Sequence, residues 1–186
     1  MVERVAFLGC GSWGAALSSI LVEKGIKTHF WHRDNRVIKE MKKSRKHYLL
    51  PSIEFPNSVE FFSDINKAIE KVDSIVVAVP SQNVREVLLM AQRRIRNSNC
   101  IINIAKGIEN NTLMTMSDVI KDVLKNKSNI VTLSGPSHAE EVIDEKPTAV
   151  VSSSKNLGLA KYVQGLFSTN KFRVYTNTDI EGVEIA

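Results

Sequence analysis

The stretch that most constrains this chain is Val5-Ala6-Phe7-Leu8-Gly9-Cys10-Gly11-Ser12-Trp13-Gly14, which runs straight into the small-residue segment Ala15-Ala16-Leu17-Ser18-Ser19-Ile20-Leu21. An apolar run ends in a turn with the spacing G-x-G-x-x-G, and a helix follows at once. That is the strand–turn–helix context a dinucleotide-binding turn requires. The glycines have different physical roles. Gly9 permits the tight turn, Gly11 leaves the backbone bare where a pyrophosphate approaches, and Gly14 lets the helix lie close to the strand. The helix start then offers unpaired N–H groups and the positive end of its dipole to phosphates. The plain alternative is a glycine-rich turn that binds nothing. A second strand beginning at Lys27 counts against it, because it completes the expected unit around the turn.

Strand and helix signals alternate through the 186 residues. Strands are predicted at 4–9, 27–31, 59–62, 74–79, 100–104, 129–133, 148–152 and 172–175. Helices are predicted at 13–24, from a cap at Asp34 to Lys43, from a cap at Asp64 to Lys71, from a cap at Ser81 to Ile95, at 113–125, 138–142 and 156–168, and onward from Asp179. The apolar, β-branched run Ser74–Val79 stops at Pro80 and fits a strand buried on both faces. The fold class expected is α/β, a doubly wound, mostly parallel Rossmann-type sheet with ligands at the carboxyl ends of its strands. Loops 9–14, 31–34, 80–82, 105–107 and 134–138 should gather there.

Hydrophobic residues are 43% of the chain and charged residues 24%, as in ordinary globular proteins, so a packed core is within reach. The net charge of +5 suits a phosphate-bearing small ligand as well as it suits nucleic acid. The densest basic group, Lys39, Lys42, Lys43, Arg45, Lys46 and His47, reads as a solvated face. No aromatic residues interleave with it as a single-strand binder would need, so nucleic acid is not an expected partner. Cys10 and Cys100 have no C-x-x-C partner, so neither a metal site nor a redox motif is expected. Free thiols, no signal-peptide pattern and no apolar run of membrane-spanning length point to a cytoplasmic protein with no membrane span.

Three further places carry candidate chemistry. Strand 2 ends in Trp31-His32-Arg33-Asp34, where an NAD-selective site usually puts an acidic residue. Arg33 instead suits a 2′-phosphate and favours NADP over NAD, while Asp34 reads as a helix cap. Lys106 follows a buried strand and faces the ligand crevice, where it can hold a substrate oxygen by a charge-assisted hydrogen bond; a solvated loop lysine is the alternative. Ser134-Gly135-Pro136-Ser137-His138-Ala139-Glu140 has the S-x-x-E spacing of a capping box and also the shape of an anion-binding turn. His138 is a lone histidine without a visible partner, which is more often structural than catalytic.

Taken in order, Gly9-Cys10-Gly11-Ser12-Trp13-Gly14, Trp31-His32-Arg33-Asp34, Ala78-Val79-Pro80-Ser81, Ala105-Lys106-Gly107-Ile108-Glu109, Leu133-Ser134-Gly135-Pro136-Ser137-His138-Ala139 and Asp179-Ile180-Glu181-Gly182-Val183-Glu184 resemble the N-terminal portion of the bacterial NAD(P)-dependent glycerol-3-phosphate dehydrogenase family. The resemblance implies that Gly9, Gly11, Ser12, Trp13, Gly14, Arg33, Lys106 and Ala139 contact the dinucleotide. It implies that Lys106, Gly135 and Ser137 contact the substrate. The reaction implied is reversible hydride transfer between NAD(P)H and dihydroxyacetone phosphate, giving sn-glycerol 3-phosphate for phospholipid synthesis. It also implies residues 1–178 as the cofactor domain and 179–186 as the start of a helical substrate-binding domain. The general acid/base lysine of the family would lie past Ala186, so the chain is expected to hold a dinucleotide with little or no turnover of its own. A non-catalytic dinucleotide-binding module is the alternative from another class, and a 3-hydroxyacyl-CoA- or 6-phosphogluconate-type dehydrogenase is the enzymatic one. Val183 and Ile185 would be underpacked, which leaves self-association, as a homodimer, open.

Overall fold

The computed structural model describes residues 3–125 and 129–186; Met1, Val2 and 126–128, all inside the expected first domain, lie outside it. Its strands are β1 (Arg4–Leu8), β2 (Lys27–Trp31), β3 (Val59–Phe62), β4 (Ser74–Val77), β5 (Cys100–Asn103), β6 (Ile130–Ser134), β7 (Thr148–Ser153) and β8 (Phe172–Asn177). They form a single sheet in the order β3-β2-β1-β4-β5-β6-β7-β8. The first six strands in chain order are mutually parallel, β7 runs antiparallel to β6, and β8 is parallel to β7. The helices are α1 (Ser12–Glu23), α2 (Asn35–Ser44), α3 (Ile65–Ala68), α4 (Val84–Ala91), α5 (Met116–Leu124), α6 (Ala139–Ile143), α7 (Leu157–Phe167) and α8 (Ile180–Ile185).

The chain is apolar in the period of a strand buried on both faces, and each face builds its own core. In β1, Val5 and Phe7 join one cluster and Ala6 and Leu8 the other, because successive side chains point to opposite sides. The first cluster takes in Leu17, Ile20 and Leu21 of α1, Ile38 and Met41 of α2, and Val163, Leu166 and Phe167 of α7. The second takes in Ile65 and Ala68 of α3, Val84, Val87, Leu88 and Ala91 of α4, and Val119, Ile120 and Val123 of α5. Val84, Val87, Leu88 and Ala91 form one buried face of α4, and the helix ends at Ala91 and not at the expected Ile95.

Helix ends follow local chemistry. Asp34, Asp64 and Asp179 cap α2, α3 and α8, each carboxylate accepting a backbone N–H of the first turn. Gly25, at φ +76, follows the end of α1 and donates its N–H to the Val22 carbonyl. Two expected caps are absent. Ser81 opens a short 3-10 turn, Ser81–Asn83, without a side-chain cap bond. The Ser137/Glu140 box does not form: the residue before α6 is His138, and the Ser137 hydroxyl donates instead to the Gly135 carbonyl at 3.1 Å.

The reversal at β7 positions the site. Ser134 of β6 pairs with Val151, so β7 begins beside the carboxyl end of β6 and needs no crossover to reach it. The segment between them, α6 included, therefore stays at that end of the sheet, where α6 packs on α1. Helix α8 returns over β6 and β7. Its Glu184 carboxylate accepts from Asn103 Nδ2 (3.0 Å), Ser117 N (2.9 Å), Ser117 Oγ (2.8 Å) and Thr132 Oγ1 (2.9 Å), which fastens the last helix to β5, α5 and β6.

Candidate functional site

A crevice of about 490 Å³ opens at the carboxyl ends of β1, β4, β5 and β6. Its walls are Gly11-Ser12-Trp13-Gly14, Ala78-Val79-Pro80, Ile104-Ala105-Lys106 and Ser137-His138-Ala139-Glu140. The structure thus brings together Gly11, Ser12, Trp13, Gly14, Lys106, Ser137 and Ala139. Gly9 lies beneath the turn, against Ala78 and Val79. Gly135 lines an adjoining hollow of about 810 Å³ with Pro136, Asp179 and Val183; Lys106 lines both.

The turn is built as its glycines require. Gly9 has φ +109, and a Cβ there would meet the Ala78 carbonyl oxygen at 2.5 Å. A Cβ on Gly14 would sit 3.1 Å from Ala78 Cβ, so α1 and the end of β4 touch through this position. A Cβ on Gly11 would meet nothing within 4 Å: the space above it is open. The first-turn N–H groups of α1 have no intrahelical acceptor, and Gly11 supplies no side-chain cap. The buried side-chain polar atom without a partner among the described residues is Trp13 Nε1, on a residue that lines this crevice. Bare backbone, unclaimed N–H donors and an unpaired indole N–H fit a pyrophosphate-bearing dinucleotide.

Lys106 is exposed but tethered. Its ammonium donates to the carbonyls of Gly135 (2.9 Å) and Ser137 (3.5 Å) and stands 5.7 Å from the Trp13 ring centre. The loop that carries it is braced from several sides. Asn103 bonds both the N–H and the carbonyl of Ala105, and Gln82 donates to the Ile108 carbonyl while accepting from Asn110 N. Glu109, 8% exposed, receives Arg85 on both carboxylate oxygens at 2.9 Å and also accepts the Thr112 hydroxyl; Arg85 pairs in addition with Asp122. Arg85 holds the Glu109 carboxyl below the usual carboxylate range, with the Thr112 bond adding to it. The Gln82 and Arg85 braces escape a sequence reading, since each reaches a partner more than twenty positions away.

Arg33 stands at the carboxyl end of β2, outside the crevice walls, with its side chain 53% exposed and a guanidinium nitrogen 3.5 Å from Glu86. Asp34 is committed to the cap and to Arg36, whose hydrogen bonds hold its carboxyl down at about 2. It is a cap, as expected, and is not free to serve a ribose. His138 is exposed at the start of α6 and makes no cap bond. The basic group is solvated at Lys39, Lys42, Lys43 and Lys46 but not at His47, which is 1% exposed and bonded at 2.8 Å to the Cys10 carbonyl. Arg45 likewise turns inward, over the Phe61 ring and onto the carbonyls of Phe55, Pro56 and Val59. Among the described residues no cluster of metal-ligating side chains forms, and no helix is long and apolar enough to cross a membrane.

Residues 4–160 match the family described as NAD-dependent glycerol-3-phosphate dehydrogenase N-terminus. The chain is 42% identical over 185 residues to a glycerol-3-phosphate dehydrogenase [NAD(P)+] of Clostridium botulinum, covering 99% of this chain and 56% of that enzyme. It is 41% identical over 187 residues to the enzyme of the same name from Bacillus pumilus, covering 99% and 54%. The crystal structure of glycerol-3-phosphate dehydrogenase from Coxiella burnetii superposes with a TM-score of 0.91 at 30% identity, over 99% of this chain and 56% of that one. The chain therefore spans about half the length of the relatives it matches.

Proposed function

The chain belongs to the NAD-dependent glycerol-3-phosphate dehydrogenase N-terminal family, and from that premise we propose that it is the cofactor-binding part of an oxidoreductase interconverting dihydroxyacetone phosphate and sn-glycerol 3-phosphate with NADPH or NADH. Membership in this family sets aside the 3-hydroxyacyl-CoA and 6-phosphogluconate alternatives. The observation that carries the proposal is the place of Lys106 between the two hollows, beside Trp13 on one side and the Gly135–Ser137 turn on the other.

In this reading Gly11, Ser12, Trp13, Gly14 and Ala139 hold the dinucleotide, with Gly9 shaping the turn beneath it. Arg33 reaches a 2′-phosphate, which favours NADP. When bound, the dinucleotide supplies or accepts the hydride. Lys106 places a positive charge where a substrate carbonyl oxygen gains negative charge, and the Gly135–Ser137 turn orients the substrate beside it. Because its ammonium donates to two carbonyls, Lys106 works through charge and not as a base. The other titratable groups lining the crevice are His138 and Glu140, both exposed on or beside α6. We assign the proton-transfer lysine of the family to none of these positions. Residues 1–178 act as the dinucleotide domain and 179–186 as the first turn of the substrate-binding domain. Two buried, unpaired cysteines support a reducing, cytoplasmic location. Ile185, 67% exposed, supports pairing with a second copy.

The test is twofold: titration with NADPH, and NADPH oxidation with dihydroxyacetone phosphate against a blank lacking it. Binding with little or no turnover is expected. Failure to bind any nicotinamide dinucleotide overturns the functional reading. Turnover of about 1–1000 per second overturns the assignment of proton transfer to a lysine outside these positions.

A further inference from the structure

His47 has no place in the chemistry above, yet it is one of the most buried polar residues of the chain, 1% exposed. Its ring lies under the glycine turn. Nδ1 faces the N–H groups of Leu49 (3.3 Å) and Leu50 (3.1 Å), so it must accept. Nε2 then carries the proton and donates it to the Cys10 carbonyl at 2.8 Å. One neutral tautomer satisfies all these contacts. The loop behind the ring is itself braced: His47 N donates to the Ile53 carbonyl, Phe55 N to the Arg45 carbonyl, and Lys46 bridges to Glu54.

The carbonyl of Cys10 and the N–H of Gly11 belong to one planar trans peptide and point in opposite directions. A bond that fixes the carbonyl therefore also fixes the Gly11 N–H, and Gly11 lines the crevice. We propose that His47 is a positioning residue for dinucleotide binding: its neutral imidazole fastens the Cys10–Gly11 peptide so that the turn presents its N–H groups to the pyrophosphate. The proposal rests on the functional reading above for the identity of the ligand.

Fastening depends on protonation. A proton on Nδ1 would confront the Leu49 and Leu50 N–H groups, so the imidazolium cannot keep the docked arrangement. Among the described residues no carboxylate faces the ring to compensate. Cys10 and Tyr48, which do face it, both have pKa values raised by burial and are uncharged at neutral pH. His32 lies beyond Tyr48, the Arg45 guanidinium is turned to carbonyls, and Lys46 is paired with Glu54. Burial accordingly lowers the His47 pKa below its ordinary value. An undocked ring titrates near the ordinary value of about 6.5, so docking is complete above that pH and weakens as the pH falls below it.

The experiment measures NAD+ affinity by calorimetry from pH 8 to 5.5 in the unmodified chain, H47Q and H47L. NAD+ is chosen because it lacks the 2′-phosphate monoester, which titrates near 6. In the unmodified chain the dissociation constant should rise, by up to about tenfold per pH unit below 6.5. H47L should bind at least about tenfold more weakly at every pH. H47Q, whose side-chain amide can donate to the Cys10 carbonyl, should recover part of that loss and lose the pH dependence. A pH dependence that persists in H47Q overturns the proposal and points to His32 or His138. Equal affinities of H47L and the unmodified chain at pH 8 overturn it as well. If the unmodified chain fails to bind NAD+ at pH 8, the functional reading fails, and the Gly11 amide resonance of the free protein still decides the fastening. It should shift through the His47 titration in the unmodified chain and not in H47Q; a resonance unmoved in both overturns the proposal.

Discussion

Replacing Gly11 by alanine separates folding from binding at a single methyl group. Gly11 has φ −71 and ψ 169, an extended conformation open to any residue, and its added Cβ would meet nothing within 4 Å. The folded state gains no clash, and alanine narrows the unfolded ensemble, so stability should hold or rise by about 0.4–1 kcal/mol. On the proposed placement, the same methyl group would occupy the space through which a pyrophosphate reaches the turn. Losing even one charge-assisted hydrogen bond there costs about 1.5–3 kcal/mol, or roughly a 10- to 150-fold weaker complex. Gly9→Ala is the converse case. At φ +109 its Cβ would lie 2.5 Å from the Ala78 carbonyl oxygen and 2.9 Å from Val79 Cγ1. Backbone strain of about 1–3 kcal/mol and overpacking of about 1–3 kcal/mol add, for a loss of about 2–6 kcal/mol. In a domain of this size each kcal/mol lowers the melting temperature by about 2–4 °C, so a drop of at least about 4 °C is expected. Urea denaturation of both variants, beside NADPH titration, reads the contrast. A G11A protein that binds NADPH like the parent would refute the placement of the dinucleotide over this turn, and one destabilised by more than about 1 kcal/mol would refute the open space above Gly11.

Two other outcomes follow from the charges. Arg33→Ala should weaken NADPH by about tenfold while leaving NADH within about twofold, since the half-exposed guanidinium stands at the end of β2 where a 2′-phosphate would lie; equal losses for the two dinucleotides would remove Arg33 from the site. Arg85→Met should cost on the order of 2 kcal/mol at pH 7, below the range for a fully buried pair because the Arg85 side chain is 29% exposed. Glu109 is held below its ordinary value, so its share of that stability is present above about pH 4.3 and is lost as the pH falls through its folded value. Urea midpoints of parent and variant should therefore converge on acidification, and a gap that is constant with pH would refute the pairing.

Much of the fold was legible because it depends on local pattern. β2 at Lys27–Trp31 and β3 at Val59–Phe62 lie where the sequence reading puts them, and the three aspartate caps follow from side chains that bond their own first turn. The glycine turn and the approach of Lys106 to the Gly135–Ser137 segment follow from topology, since strand ends of a parallel sheet converge. What stayed hidden depends on contacts between distant residues. Ser137 has the spacing of a cap, but its hydroxyl bonds Gly135, so the box is lost to a competing acceptor. His47 sits in a basic run whose neighbours are solvated, and only the fold reveals that the Cys10 carbonyl, 37 positions earlier, draws it inside. Glu184 has the look of an exposed helix acid until Asn103, Ser117 and Thr132 converge on it.

The reversal of β7 has a bearing on how this crevice can change. Residues 135–147 leave the sheet and rejoin it at the same end, between strands already paired to each other. The excursion is a closed flap on a finished frame, and lengthening it costs little: doubling a loop adds only about 0.6 kcal/mol of closure entropy. One wall of the crevice can thus be lengthened with every strand pair left intact, provided α6 keeps its packing on α1. The opposite wall, the glycine turn, has no such freedom, because a Cβ at Gly9 or Gly14 would run into Ala78 just past the end of β4. On the function proposed above, the substrate-facing Gly135–Ser137 turn would vary with the first wall while the glycine turn of the second would not.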